Sequence, residues 1–131
     1  MEWDFTTSQL YKGKVNYGLE DFLRDLQVEV DTNFPIYDKD QRENLCGLFY
    51  GVMYFDFTGH SHDEISKIFG IDPEFVKIIL KNNQVNIEML GAVIMTIFLR
   101  NLRETDGLLS DEENLQLVNA ELRQFHHLHK L

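Results

Sequence analysis

Histidine and carboxylate are the side chains that this sequence groups most closely, and it does so in two places. His60 and His62 flank Ser61 and run into Asp63 and Glu64, a mixture of borderline and hard donors that suits a first-row metal. His126, His127 and His129 lie near the other end of the sequence, and residues three apart on a helix share a face. Each group has a simpler reading. Ser61 followed three residues later by Glu64 is a helix-start pattern, and imidazolium near a helix C-terminus is favoured by the dipole. Neither group is read as a metal site, and no cofactor is expected.

The remaining reactive residues point away from catalysis. Cys46 is the single cysteine, which excludes an internal disulfide and a cysteine-built zinc cage. Its place in the apolar run NLCGLFYGVM makes it a buried structural thiol rather than a nucleophile. There is no glycine-rich phosphate loop, no defensible Ser-His-Asp spacing and no cysteine pair. The carboxylates fall on polar helix faces, where their role is solvation. No catalytic residue is assigned, and the chain reads as non-enzymatic.

The elements that must carry any other function are helices. From Leu19 the spacing of Leu19, Phe22, Leu23, Leu26 and Val30 is helical, with Glu20 and Asp21 in the first turn, where the dipole favours them. Pro35 in NFPIYD breaks the pattern. A second helix is expected from about Asp40 to Phe57, with Leu45, Leu48, Phe49, Val52 and Met53 on one face and Tyr50, Tyr54 and Phe57 on another. A third apolar helix runs from about Asn86 to Glu104 and ends at Asp106-Gly107. A last one starts at Ser110, with Glu113 three residues on, and its narrow stripe of Leu115, Val118, Leu122 and Phe125 is expected to dock on the core. Gly47 and Gly51 would let another helix approach closely. The opening, Met1 to Tyr17, suits a short extended arm.

At 131 residues, with 44% hydrophobic composition and ten Phe, one domain spanning 1–131 with its own core is expected. The fold class is all-α, a compact bundle of about six helices: an arm and two helices over 1–58, a helix pair over 59–81 and two helices over 82–131. Two of the helices are apolar nearly all round, more than a simple bundle needs, which suggests a homodimer or another partner. MEWDFTTSQL lacks a basic region followed by an apolar stretch, so no signal peptide is expected. The most apolar later stretch, Ile87 to Leu99, is short for a bilayer and carries Glu88. A soluble cytoplasmic protein with no membrane association is the expectation.

Between the second and third apolar helices lies GHSHDEISKIFGIDPEFVKIILK, Gly59 to Lys81. Ser61 and Glu64 start a helix of about two turns through Phe69. Gly70 supplies the left-handed residue that ends it, and Asp72 caps the next helix with Pro73 at its first position. Ile65, Ile68, Phe69, Ile71, Val76, Ile79 and Leu80 are spaced to share one small core. These residues resemble the helix-turn-helix family, in the sigma-factor and response-regulator style. Glu64, Ile65, Gly70, Ile71, Val76 and Leu80 match its pattern in register, and Ser66 stands where the family usually has Ala. The resemblance covers these residues alone.

The resemblance implies a DNA-reading face at Asp72, Pro73, Glu74, Lys77, Ile78 and Lys81, and that face is poorly equipped. Base readout wants Arg, Lys, Asn or Gln, whereas Asp72 and Glu74 would bring negative charge to the groove. Twelve Lys and Arg against 22 Asp and Glu give a formal net charge of −10, a field that repels phosphate and favours a partner with a basic surface. In size and charge the chain is similar to small acidic inhibitors and DNA mimics of nucleic-acid enzymes. The leading expectation is a small regulator that binds a protein partner, plausibly transcription or other nucleic-acid-handling machinery. Its contact residues would be Tyr50, Tyr54, Asp72, Glu74, Phe75 and Ile78. The alternative is a dimeric DNA-binding transcription regulator using Lys77, Lys81 and Asn82, with Arg100 and Arg103 adding charge if they fold to the same side.

Overall fold

Five of the six helix starts among the described residues coincide with side chains that answer otherwise unpaired backbone N–H groups. A computed structural model describes residues 18–128, and side chains over 18–123; the expected arm lies outside them. Six helices follow: α1 Leu19–Asn33, α2 Lys39–Phe57, α3 His62–Phe69, α4 Pro73–Asn82, α5 Gln84–Glu104 and α6 Asp111–Leu128. No strand occurs among the described residues, and the fold is all-α.

The caps are those that the residue types require. Ser61 Oγ accepts from Glu64 N at 3.1 Å while Glu64 Oε1 accepts from Ser61 N at 3.0 Å. Ser110 and Glu113 repeat the same reciprocal pair at α6. Asp72 Oδ1 accepts from Glu74 N at 2.8 Å, with Pro73 opening α4. At α2 the cap is Asp38, paired with Gln41, so this helix begins a residue ahead of the Asp40 expected from its apolar spacing. Gly70 ends α3 at φ 65°, in the left-handed region open to glycine without steric cost. Ser66 Oγ donates to the carbonyl oxygen of Ile71, a polar tie across the turn that Ala in its place would not make.

α4 and α5 are separated by Asn83 alone. Its φ of −120° and ψ of 28° take the backbone out of the helix. Its buried side chain donates to Ile79 O at 2.7 Å and accepts from Asn86 Nδ2 at 2.8 Å. The amide thus replaces part of the hydrogen bonding that the break removes, and α5 starts two residues before the expected Asn86.

α2 and α5 form the centre. α2 contacts α1, α3, α4 and α5, while α5 contacts α1, α2, α4 and α6. Surrounded on several sides, both need apolar residues nearly all round, so their composition is met within the fold and does not itself call for a second copy. The core joins Phe22, Leu26 and Val30 of α1 to Tyr50, Val52, Met53 and Tyr54 of α2, Ile65 of α3, Val76, Ile79 and Leu80 of α4, and Leu90, Val93 and Ile97 of α5. At 21 residues α5 is long and apolar enough to cross a bilayer by length and composition, unlike the shorter Ile87 to Leu99 stretch considered from sequence, and here half of that apolar window is buried in the fold.

Gly51 is the close-approach glycine. A Cβ built there would collide with the Phe69 ring, so the missing side chain lets α3 settle on α2.

α6 docks differently from its expected stripe. Asn114, Val118 and Leu122 are buried, whereas Leu115 is 47% exposed; the side chain of Phe125 lies outside those described. Asn114 wins the inward position because its amide is matched: Asn101 Nδ2 donates to Asn114 Oδ1 at 2.8 Å, and Asn114 Nδ2 donates to Phe98 O at 3.0 Å. A buried amide with such partners escapes the cost that usually keeps Asn outside.

Candidate partner-binding groove

Pro73 and the Asp72 cap set the start of α4, and the helical repeat then divides its outer surface into two flanks. At 100° per residue Phe75, Ile78 and Asn82 fall within about 60° of one another, and Glu74, Lys77 and Lys81 fall together about 100° away. Val76, Ile79 and Leu80 anchor the inner side.

The apolar flank forms one wall of a groove of about 740 Å³. Its floor and opposite wall come from Leu45, Leu48 and Phe49 of α2, and its end from Phe34 and Tyr37 of the α1–α2 connection. Phe34 meets Phe49 edge-on with ring centroids 6.0 Å apart and lies against Tyr37 at 6.2 Å, an aromatic cluster that holds the loop beside the helices. Phe75 is 40% exposed, Ile78 52% and Tyr37 43%. Large apolar side chains left partly in water around one concavity are a recognised sign of a binding surface.

The polar groups around the groove are mostly amides. Asn33, Asn44 and Asn82 are exposed, line the groove, and make no side-chain hydrogen bond among the described residues. Among the described residues Glu29 is the one carboxylate in the lining, and no Lys or Arg lines it. Both oxygens of Glu29 accept from Asn86 Nδ2, at 3.3 and 3.2 Å, which holds the carboxylate at the edge between α1 and α5.

No protein-family model, curated protein or solved structure matches this chain.

The groove gathers some of the contact residues expected from sequence and separates others. Phe75 and Ile78 meet there, joined by Asn82, which sequence reasoning had assigned to DNA reading. Tyr50 and Tyr54 are corrected: both are completely enclosed in the core, stacked with centroids 6.3 Å apart, and neither can anchor a partner. Their face of α2 is the inner one, and the groove uses Leu45, Leu48 and Phe49 instead. Asp72 is occupied as a cap. Glu74 and Lys77 pair with each other at 3.1 Å on the exposed surface, while Lys81 makes no ion pair among the described residues.

Other polar candidates have local duties. Asn83, next to Asn82, is buried in the α4–α5 junction and cannot reach a nucleic acid. Arg100 holds Glu121 of α6 through Nη2, at 3.1 and 3.0 Å. The His60 ring lies edge-on to Phe55 at 5.0 Å, with Nδ1 3.0 Å from Thr58 Oγ1 and 3.2 Å from Phe55 O. Among the described residues no three His, Cys, Asp or Glu side chains come together to hold a metal. The side chains of His126, His127 and His129 lie outside those described. Cys46 is 3% exposed, and burial first, with Asp31 and Glu43 adding, pushes its thiol up to about 12, so it stays protonated at neutral pH.

Tyr37, Phe34, Leu48, Asn33 and Asn44 were not among the contact residues expected from sequence. The available signal was NFPIYD, where aromatic and aliphatic residues crowd a Pro-containing connection that would ordinarily be polar.

Proposed function

We propose that this chain is a small, acidic, cytoplasmic, non-enzymatic regulator built around a helix-turn-helix, which acts by binding a protein partner along one flank of the motif's second helix. The observation that carries the reading is the groove itself, with Phe75 and Ile78 standing partly in water along its wall. In a DNA reader the outer face of that helix enters the major groove. Here the outer face offers two apolar side chains, a self-paired Glu74–Lys77 and a Lys81 with no ion pair among the described residues, which suits protein contact better than phosphate contact. A net charge of −10 steers a basic partner towards it, as in inhibitors of nucleic-acid-handling machinery.

The second reading, a dimeric DNA-binding regulator, has one observation in its favour. Lys77 and Lys81 lie together on the other flank, clear of the groove, and two copies would double them.

The two flanks can be tested separately. A photo-reactive side chain at Ile78 is expected to cross-link a protein from extracts of the source cells, and one at Lys81 is not. Labelled mixed-sequence duplex, titrated by anisotropy at about 50 and 200 mM salt, is expected not to bind. Duplex binding that fades with salt and is lost in Lys77→Ala/Lys81→Ala, with no cross-link at Ile78, would replace the first reading by the second.

A further inference from the structure

We infer that the groove takes an extended segment of the partner, with apolar side chains at alternate positions and a Lys or Arg beside Glu29. This rests on the protein-binding reading above and adds the chemistry of the occupant.

Three features of the groove define that chemistry. Its floor of Leu45, Leu48 and Phe49, walled by Phe75 and Ile78, accepts apolar side chains. Its rim carries the amides of Asn33, Asn44 and Asn82, which come from three different helices and have no hydrogen-bond partner among the described residues. A side-chain amide both donates and accepts, and that is the complement of a peptide group. A helix arriving in the groove would have its backbone groups already paired within itself, apart from those at its ends. An extended segment brings unpaired N–H and C=O groups that lose water on docking and need partners. Amides supplied to the lining by three different helices therefore favour the extended form.

Charge settles the rest. Glu29 is the lining carboxylate, no cation lines the groove among the described residues, and the whole chain carries −10. A second copy of this chain would meet that same field with like sign, whereas a segment bearing Lys or Arg is drawn in and gains a partner at the edge. The alternation follows from strand geometry: every second side chain of an extended segment points to the same side.

The test is selection from a phage-displayed library of random peptides of about ten residues, a length that spans about 30 Å when extended, against the intact chain. Enriched peptides are expected to show alternating apolar residues with Lys or Arg. Their binding should fall by about tenfold or more in Phe75→Ala/Ile78→Ala and in Asn44→Ala/Asn82→Ala, substitutions at exposed positions whose retained fold is checked by helical circular dichroism at the binding temperature. Glu29→Gln should weaken the preference for basic over neutral peptides while leaving the apolar pattern.

Selected peptides with apolar residues at helical spacing, or indifferent to the two asparagines, overturn the extended occupant. If they still lose affinity in Phe75→Ala/Ile78→Ala, protein binding at the groove survives that failure. No enrichment, or peptides indifferent to Phe75 and Ile78, overturns the inference; taken with an absent cross-link at Ile78, it overturns the protein-binding reading as well.

Discussion

The hydroxyl of Tyr50 donates to the carbonyl oxygen of Leu122 at 3.1 Å, a buried hydrogen bond between residues 72 positions apart. It ties the central helix α2 to the last helix through the middle of the core. Burial pushes the Tyr50 phenol well above its usual range, with Tyr54 adding to the effect, so the hydroxyl is a donor at neutral pH. Tyr50→Phe keeps the ring and removes the donor. It is expected to cost about 1–2 kcal/mol, because the Leu122 carbonyl loses a buried partner. Urea unfolding at unchanged m-value measures this, and partner binding should be unaffected.

Gly51 gives a prediction of opposite type, in which adding atoms is what harms. Gly51→Ala puts a methyl group where the Phe69 ring already lies, and the expected loss is about 1–3 kcal/mol as the ring is pushed out of its place on α2. Phe69→Leu should soften the effect of the alanine. A double-mutant cycle should therefore show coupling between the two positions; independent, additive effects would mean that they do not press on each other.

The buried amide pair predicts non-additivity through hydrogen bonding instead. Asn114→Ala strands the Asn101 amide and the Phe98 carbonyl and should cost about 1–3 kcal/mol. Asn101→Leu/Asn114→Leu removes both amides and supplies apolar volume, and should cost less than the sum of the two single changes. Chemical denaturation of the three variants decides it.

Acid should unfasten α3 and α6 at their starts. The pKa of Glu64 is lowered from 4.5, first by the backbone N–H and then by the hydroxyl of Ser61; Ser110 does the same for Glu113. A carboxylate whose folded pKa lies below its unfolded one adds stability above the unfolded value and loses it as pH falls through the folded one. Stability should therefore decline as pH drops below about 4.5, and Glu64→Gln/Glu113→Gln should flatten that decline. An unchanged acid profile in the double variant would mean that these caps do not contribute.

Helix identity and most helix boundaries were readable in the residues because their causes are local. The Ser61–Glu64 and Ser110–Glu113 reciprocal caps, Gly70 in the left-handed turn and Pro73 at the first position of α4 each act within about one turn of chain. Order and spacing in sequence are then enough. Asp38 could have been found by the same rule, since Gln41 stands three residues later.

Which apolar face goes inside was decided only by the tertiary structure. α2 carries two such faces of similar composition, and periodicity cannot rank them because burial depends on what packs against each. The arrangement of α1, α5 and α6 encloses Tyr50 and Tyr54, and α4 together with the Phe34–Tyr37 loop leaves Leu45, Leu48 and Phe49 as the lining of a groove. The same holds for α6, where Asn101 on a neighbouring helix draws Asn114 inward while Leu115 faces outward. A groove lined by α1, α2, their connection and α4 exists only once those segments meet, since each segment alone is merely amphipathic.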